Sequence, residues 1–436
     1  MTQTKGQQHI SDLPPAYSTT DPSVYSDGAA PPAATYPSQS DLKIDQIGPK
    51  QLRATQGFPL DRPVFIHTTN ISGSTLLVQP DTNINNHNAV IVSVEVASQA
   101  GGIRDKCDVL VHMNAHGEYE FHVRSRYAFW SMALVQCRFT VSMPFGAGGV
   151  HPGVRTELTN GCVDIVRLGN MRFGYVNVTT TNKPVTLTDV RSRLVQVIST
   201  NSCVQATGVI SETEISLRTT NANIALVNSQ APQIIVSSTN RTVTLQSVSG
   251  QAVHAQTSNS RVVCDNVTAG GEVRLVTTNS TVSTNVVVAD SLRIMTSNSG
   301  VEGSWRVGSY LGVRTTNGSI NADVLFNGDA GSPRAVVELC SSNAPIRAKL
   351  PAGLFRGSFD IKTLNANAAV AWKGGSGSGS GGQTVVGMPL HFSVDDKCHK
   401  HGTVAAAAAA DAVGLGHMQH DFSAKTCNAL VELLFV

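Results

Sequence analysis

The side chains best suited to chemistry crowd the C-terminal part of the chain. There Cys398-His399-x-His401 and His417-x-x-His420 bring thiol and imidazole donors together. Such donors suit zinc or copper. Their spacing fits no standard finger and the surrounding stretch is Gly- and Ala-rich, so the competing reading is a polar loop. A second group is cationic: Arg274, Arg293 and Arg314 fall at outward positions of three successive repeats. They suit an anionic ligand such as a phosphate, a glycan acid or an acidic protein, unless their stems only cover an aliphatic sheet. A third is Leu13-Pro14-Pro15-Ala16-Tyr17. In a Pro-rich tail, Pro14, Pro15 and Tyr17 have the form of a WW-domain ligand, a preformed polyproline II stretch with Tyr for an aromatic groove. It is similar to the motifs bound by WW-bearing ubiquitin ligases.

The elements that carry these groups follow a clock. Asn182, Asn201, Asn221, Asn240, Asn259, Asn279, Asn298 and Asn317 recur every 19 or 20 residues, each after a pair of Ser or Thr. A period of that size means one supersecondary unit per repeat, stacked on its neighbours. Six and four residues before each Asn stand aliphatic pairs such as Ile215/Leu217 and Val273/Leu275, and three after it stands another, such as Ile224 or Val282. Spacing by two is strand spacing. The same parity turns the Ser/Thr two before each Asn inward and leaves the Asn at a bend, where it tolerates left-handed backbone. Stacked about 4.8 Å apart, the eight Asn side chains are expected to form an amide ladder spanning roughly 35 Å.

Asn160, Asn343, Asn365 and Asn428 extend the pattern at irregular intervals, so the chain is expected to return to the stack and end in it. The expected organisation is a disordered Pro/Ser/Thr-rich tail over 1–50, a β-rich cap over 51–150 and a parallel β-solenoid over 151–372. A Gly/Ser loop and His-rich excursion follow over 373–421, then a final strand over 422–436. The fold class is thus all-β, with AAAAAADAVG at 405–414 as the clear helix candidate.

The combination of Ser/Thr-Thr-Asn-x-x-Val coils with RFTVSMPFG (138–146) ahead of the first coil resembles the putative-adhesin β-solenoid family, a domain of unknown function in bacteria with fungal relatives. KLPAGLFRGSFDIKTLNANAAVAW (349–372) resembles the penultimate coil of the fungal members. The resemblance implies a fold and carries no catalytic or binding residue set. This chain departs from it where most coils follow Asn with Ser, Ala, Arg or Lys instead of Gly.

Only 14% of residues are charged and the net charge is +2, which gives no support for nucleic acid or a membrane surface. No run approaches 18 apolar residues and no apolar leader follows Met1, so a cytoplasmic location is expected. Cys162 and Cys203 flank the Asn182 repeat and would lie about 9 to 10 Å apart, beyond the reach of a disulfide, about 7 Å. Pectin-type enzymes share parallel β-helices and need clustered outer acids. Here Glu214 and Glu272 share an offset three repeats apart, and Glu212 and Asp290 share one four apart. The expectation is a non-catalytic, adhesin-like binding scaffold with no cofactor, partnered by an unknown protein or glycan and by a WW-domain protein at the tail. The alternatives are a polysaccharide lyase or hydrolase and, below it, an ice-binding surface. Strand parity leaves an ice-binding surface only a single outward Thr column.

Overall fold

The computed structural model describes residues 41–81, 89–99, 102–126, 135–144, 150–166, 168–327, 335–351, 355, 357–372, 390–404 and 420–436, all within the compact unit Pro37–Val436. The fold is nearly all β. Among the described residues the one helix is the single turn Ile103–Lys106, and the strands join through continuous hydrogen-bonded pairing. The helix candidate at 405–414 lies outside the described residues.

Aliphatic alternation explains the strands, and the repeat explains their order. Arg172–Thr180 pairs in parallel with Arg191–Ser199, which pairs with Ile210–Thr219, and so on to Val301–Thr315. In register, Val176 stands beside Val195, then Ile215, Ile234, Val253, Val273, Leu292, Leu311 and Val337. Each of these is 0% exposed. Burying such a side chain stabilises by about 1.5–3 kcal/mol, so this column and its neighbours dominate the energetics.

Spatial order departs from sequence order at both ends. At the C-terminal end His420–Thr426 lies between Val336–Ser341 and Gly357–Thr363, in parallel with both, so Phe422 faces Val337 on one side and Phe359 on the other. The chain does return to the stack, but as the rung before the last in space. At the other end Val64–Thr69 pairs in parallel with Val154–Leu158 and with Tyr119–Ser125. The parallel stack therefore begins well before residue 151. Thr68-Thr69-Asn70 repeats the Ser/Thr-Thr-Asn signature there, with Thr68 buried. Aromatic residues close both ends: Phe58 stacks on Tyr119 at 5.3 Å and Phe359 meets Phe435 edge-on at 6.2 Å.

Antiparallel strands cover both edges. Gln51–Pro59 pairs with Ala89–Ser98, Cys107–Met113 with Tyr119–Ser125, and His399–Val404 with Gly357–Thr363. Such pairing moves the open edge from the parallel stack to short antiparallel strands such as Lys43–Gly48, Cys107–Met113 and Leu390–Asp395. The expected disorder of 1–50 fails at its end: Lys43–Gly48 is a strand, antiparallel to Gln51–Pro59. Its side chains are almost all exposed, so backbone bonds alone define it and no aliphatic alternation marks it. The stretch 373–421, expected as a loop and excursion, contributes the hairpin Leu390–Asp395 and His399–Val404. The eight cysteines are free thiols.

Candidate functional site

At the corner ending each long strand, the amide of one Asn donates to the amide oxygen of the Asn before it. The bonds run from Asn160 through Asn182, Asn201, Asn221, Asn240, Asn259, Asn279, Asn298 and Asn317 to Asn343. They then pass to Asn428 at 2.9 Å and from it to Asn365 at 2.7 Å. The ladder residues from Asn182 on do not have the left-handed backbone their type suggests; among the corner asparagines it occurs at Asn70 and Asn160. Left-handed φ belongs to a second corner, seven residues downstream: Asp189, Gly208, Asn228, Ser247 and Asn266. Asn160 joins the ladder from its left-handed backbone, as the acceptor of the Asn182 amide.

Two residues before each Asn, the Ser/Thr column is buried, from 1% exposed at Thr257 to 6% at Thr219 and Thr296. Most of its hydroxyls donate to backbone carbonyls one rung away, as Thr277 does to Ser260 at 2.8 Å and Thr296 to Ser280 at 3.0 Å, while the buried Ser199 hydroxyl has no partner. Buried hydroxyls held this way are structural.

On the outer face the arginines do not form one row. Arg274 faces Arg293 and His254 in register, but Arg293 faces Gly312, while Arg314 faces Met295. Arg293 is 3.5 Å from Glu272, which also lies 3.7 Å from His254, and its guanidinium sits over the Tyr310 ring at 5.4 Å. Glu272 thus offsets part of the charge at Arg293, whose guanidinium rests on the Tyr310 ring.

Among the described residues the C-terminal donors do not gather into one cluster. His399 Nε2 is 2.8 Å from Asp360. Burial works to raise that carboxyl, but hydrogen bonds from His399 and Lys362 hold it below its usual value. The His401 ring centroid is 6.5 Å from that of His399. His420 is buried, stacked on Phe326 at 4.3 Å, and its Nδ1 accepts from the Ala335 amide at 3.3 Å. Cys398 caps a turn through its own backbone N–H, bonded to Asp396. His417 lies outside the described residues, as do Pro14, Pro15 and Tyr17.

A shallow groove of about 470 Å³ crosses the rungs, lined by Asp265, Asn285, Glu302, Asp323 and Lys349 among others. Comparing acids at equal offsets passes over it, because Glu302 and Asp323 lie on a diagonal: Ser304, two residues after Glu302, is the register partner of Asp323. Asp265 accepts from Asn285 at 2.9 Å and Glu302 from Ser283 at 3.0 Å.

The densest constellation of ionisable groups lies at the N-terminal end. His67 and His122 are register partners on adjacent parallel strands, their rings stacked at 4.4 Å. Glu120, two residues before His122 and so on the same face, is flanked by His112 across the antiparallel pair. The imidazole nitrogens of His67, His112 and His122 lie 3.5, 3.6 and 3.8 Å from the Glu120 carboxylate. Burial, then the neighbouring His67, pushes the His122 pKa down to about 4. Beside this cluster the buried Glu118 accepts from Tyr175 at 2.6 Å, Asn114 at 2.8 Å and Arg155 at 3.3 Å. Burial and the Glu118 bond push the Tyr175 phenol up. Arg155 in turn lies over Phe65 at 4.5 Å, and Phe65 stacks on His67 at 5.4 Å. The His-Glu cluster escapes sequence reasoning because its members sit in three strands whose spatial order is not their chain order.

No family model matches the chain, and no curated protein does. Among solved structures it is similar to a putative cell adhesion protein from Clostridium sporogenes, at 6% identity and a TM-score of 0.17, over 89% of this chain and 100% of that one. A TM-score of 0.17 lies below the level at which two folds are equated, so no family membership follows.

Proposed function

We propose that this chain is a non-catalytic β-solenoid scaffold, adhesin-like in the sense of the family it resembles, which holds binding side chains at fixed spacing on its outer sheets. The observation that carries this reading is the unbroken amide ladder along the in-register rungs. A rigid ladder fixes the distance between groups on successive rungs, which is what a multivalent binding surface needs. The buried Ser/Thr column argues against ice binding, since a flat array of paired outward Thr is not on offer.

The scaffold reading extends to the tail, where Pro14, Pro15 and Tyr17 form a docking peptide for a WW-domain partner. Binding of a purified WW domain of the ubiquitin-ligase type to the full chain, measured by calorimetry, is expected to fall at least tenfold on Tyr17→Ala. Equal affinity of both chains would remove the docking role.

The groove with Glu302 and Asp323 supports a second reading. Both acids line one groove on adjacent parallel strands, and a pair of carboxyls flanking the scissile bond is what glycoside hydrolysis requires. Against catalysis, Glu302 is already engaged by Ser283.

A further inference from the structure

We infer that His67, Glu120 and His122, with His112 approaching from the second Glu120 oxygen, form a binding site for one divalent transition-metal ion of the zinc class, which clips together three strands at the N-terminal end of the stack.

The first reason is the Glu120 carboxylate. Its side chain is 11% exposed, and among the described residues it accepts no hydrogen bond; its charged or chargeable neighbours at 3.5–3.8 Å are the three histidines. Neither carboxylate oxygen is fully shut off from solvent, so a cation can reach a charge that has no hydrogen bond of its own. The second is spacing. Donor atoms of His67, Glu120 and His122 all lie within 4.8 Å of one another. Around a tetrahedral zinc with bonds of about 2.0–2.1 Å, donors sit about 3.3 Å apart. The nitrogen-to-carboxylate distances are only slightly longer, too long for hydrogen bonds and short enough to contract onto an ion.

The third reason is orientation. His122 Nε2 is 2.9 Å from Thr69 Oγ1. With Nε2 protonated and donating to that hydroxyl, Nδ1 carries its lone pair toward Glu120, the arrangement by which a second shell aims a ligating imidazole. The His67 and His122 rings are stacked nearly parallel at 4.4 Å, so their in-plane lone pairs do not yet converge and one ring must turn out of the stack to share an ion. Imidazole and carboxylate together suit zinc, nickel or copper. Calcium and magnesium prefer all-oxygen shells, which this site does not have.

The groups come from Val64–Thr69, Tyr119–Ser125 and Cys107–Met113. Residues distant in sequence are thus cross-linked where the parallel stack meets its antiparallel edge.

The test is calorimetric titration of the chelator-stripped, full-length chain with Zn²⁺, and titration with Co²⁺ followed by visible absorption. One saturable equivalent is expected, with the intense absorption of a tetrahedral Co²⁺ site. The double variant His67→Ala/His122→Ala should weaken it about 100-fold and Thr69→Val about tenfold. His112 is half exposed, so His112→Ala should weaken binding without perturbing the fold, which keeps the test decisive if the double variant misfolds. His399→Ala/His401→Ala should bind as the parent does. Absence of a saturable equivalent, unchanged binding in both His112→Ala and the double variant, or loss in His399→Ala/His401→Ala would each overturn the site.

Discussion

The side-chain amide of Asn428 donates to Asn343 at 2.9 Å, so the last coil in sequence is not the last in space. It fills the slot between the Asn343 and Asn365 rungs, and Val337 pairs with Phe422 across it.

Deleting 420–436 should therefore open a gap inside the stack. Hydrogen exchange should show lost protection in both Val336–Leu350 and Gly357–Trp372, with Arg172–Thr315 unchanged. A terminal add-on strand would leave Val336–Leu350 protected.

The ladder and the core differ in weight. Asn240 makes two exposed amide bonds, so Asn240→Ala should cost about 0.5–1.5 kcal/mol. Ile234, 0% exposed in the adjacent strand, should cost about 2–5 kcal/mol as Ile234→Ala. Urea midpoints of the two variants check the ranking.

The second corner selects by backbone. Asn228 has φ 49°, so Asn228→Val should lose about 1–2 kcal/mol while Asn228→Gly stays close to the parent. Thermal midpoints of the pair separate backbone strain from lost side-chain contacts.

His151 should make stability depend on pH. It is 3% exposed, its Nδ1 accepts from the Gly153 amide, and burial pushes its pKa from 6.5 down to about 4. The unfolded chain takes up a proton near pH 6.5 while the folded chain resists it. The contribution is thus whole above pH 6.5 and is lost as pH falls toward 4, by about 3 kcal/mol in all. Chemical denaturation of the parent and His151→Phe at pH 7 and pH 4 should show the parent losing more by about that amount.

How far the chain could be read in advance followed the repeat. The all-β class was legible because Ile215/Leu217 and Val273/Leu275 keep strand parity at a fixed offset. The insertion of Phe422 beside Phe359 was not, since offset arithmetic orders rungs by sequence and pairing does not. Asn70 repeats the motif, but the strands before Asn160 intervene and hide the period. Lys43–Gly48 has no buried face and so no apolar signature. His67, His112 and Glu120 meet only because their three strands pair out of chain order. Glu302 and Asp323 fall at different offsets, and only the register brings them to one groove.

The scaffold reading is tested most directly by glycan turnover. Purified chain is incubated with a panel of acidic and neutral polysaccharides and new reducing ends or unsaturated products are measured, alongside Glu302→Gln and Asp323→Asn. A non-catalytic scaffold gives no products above blank for any of the three proteins. Turnover by the parent that disappears in Glu302→Gln or Asp323→Asn would contradict it and make the groove an active site.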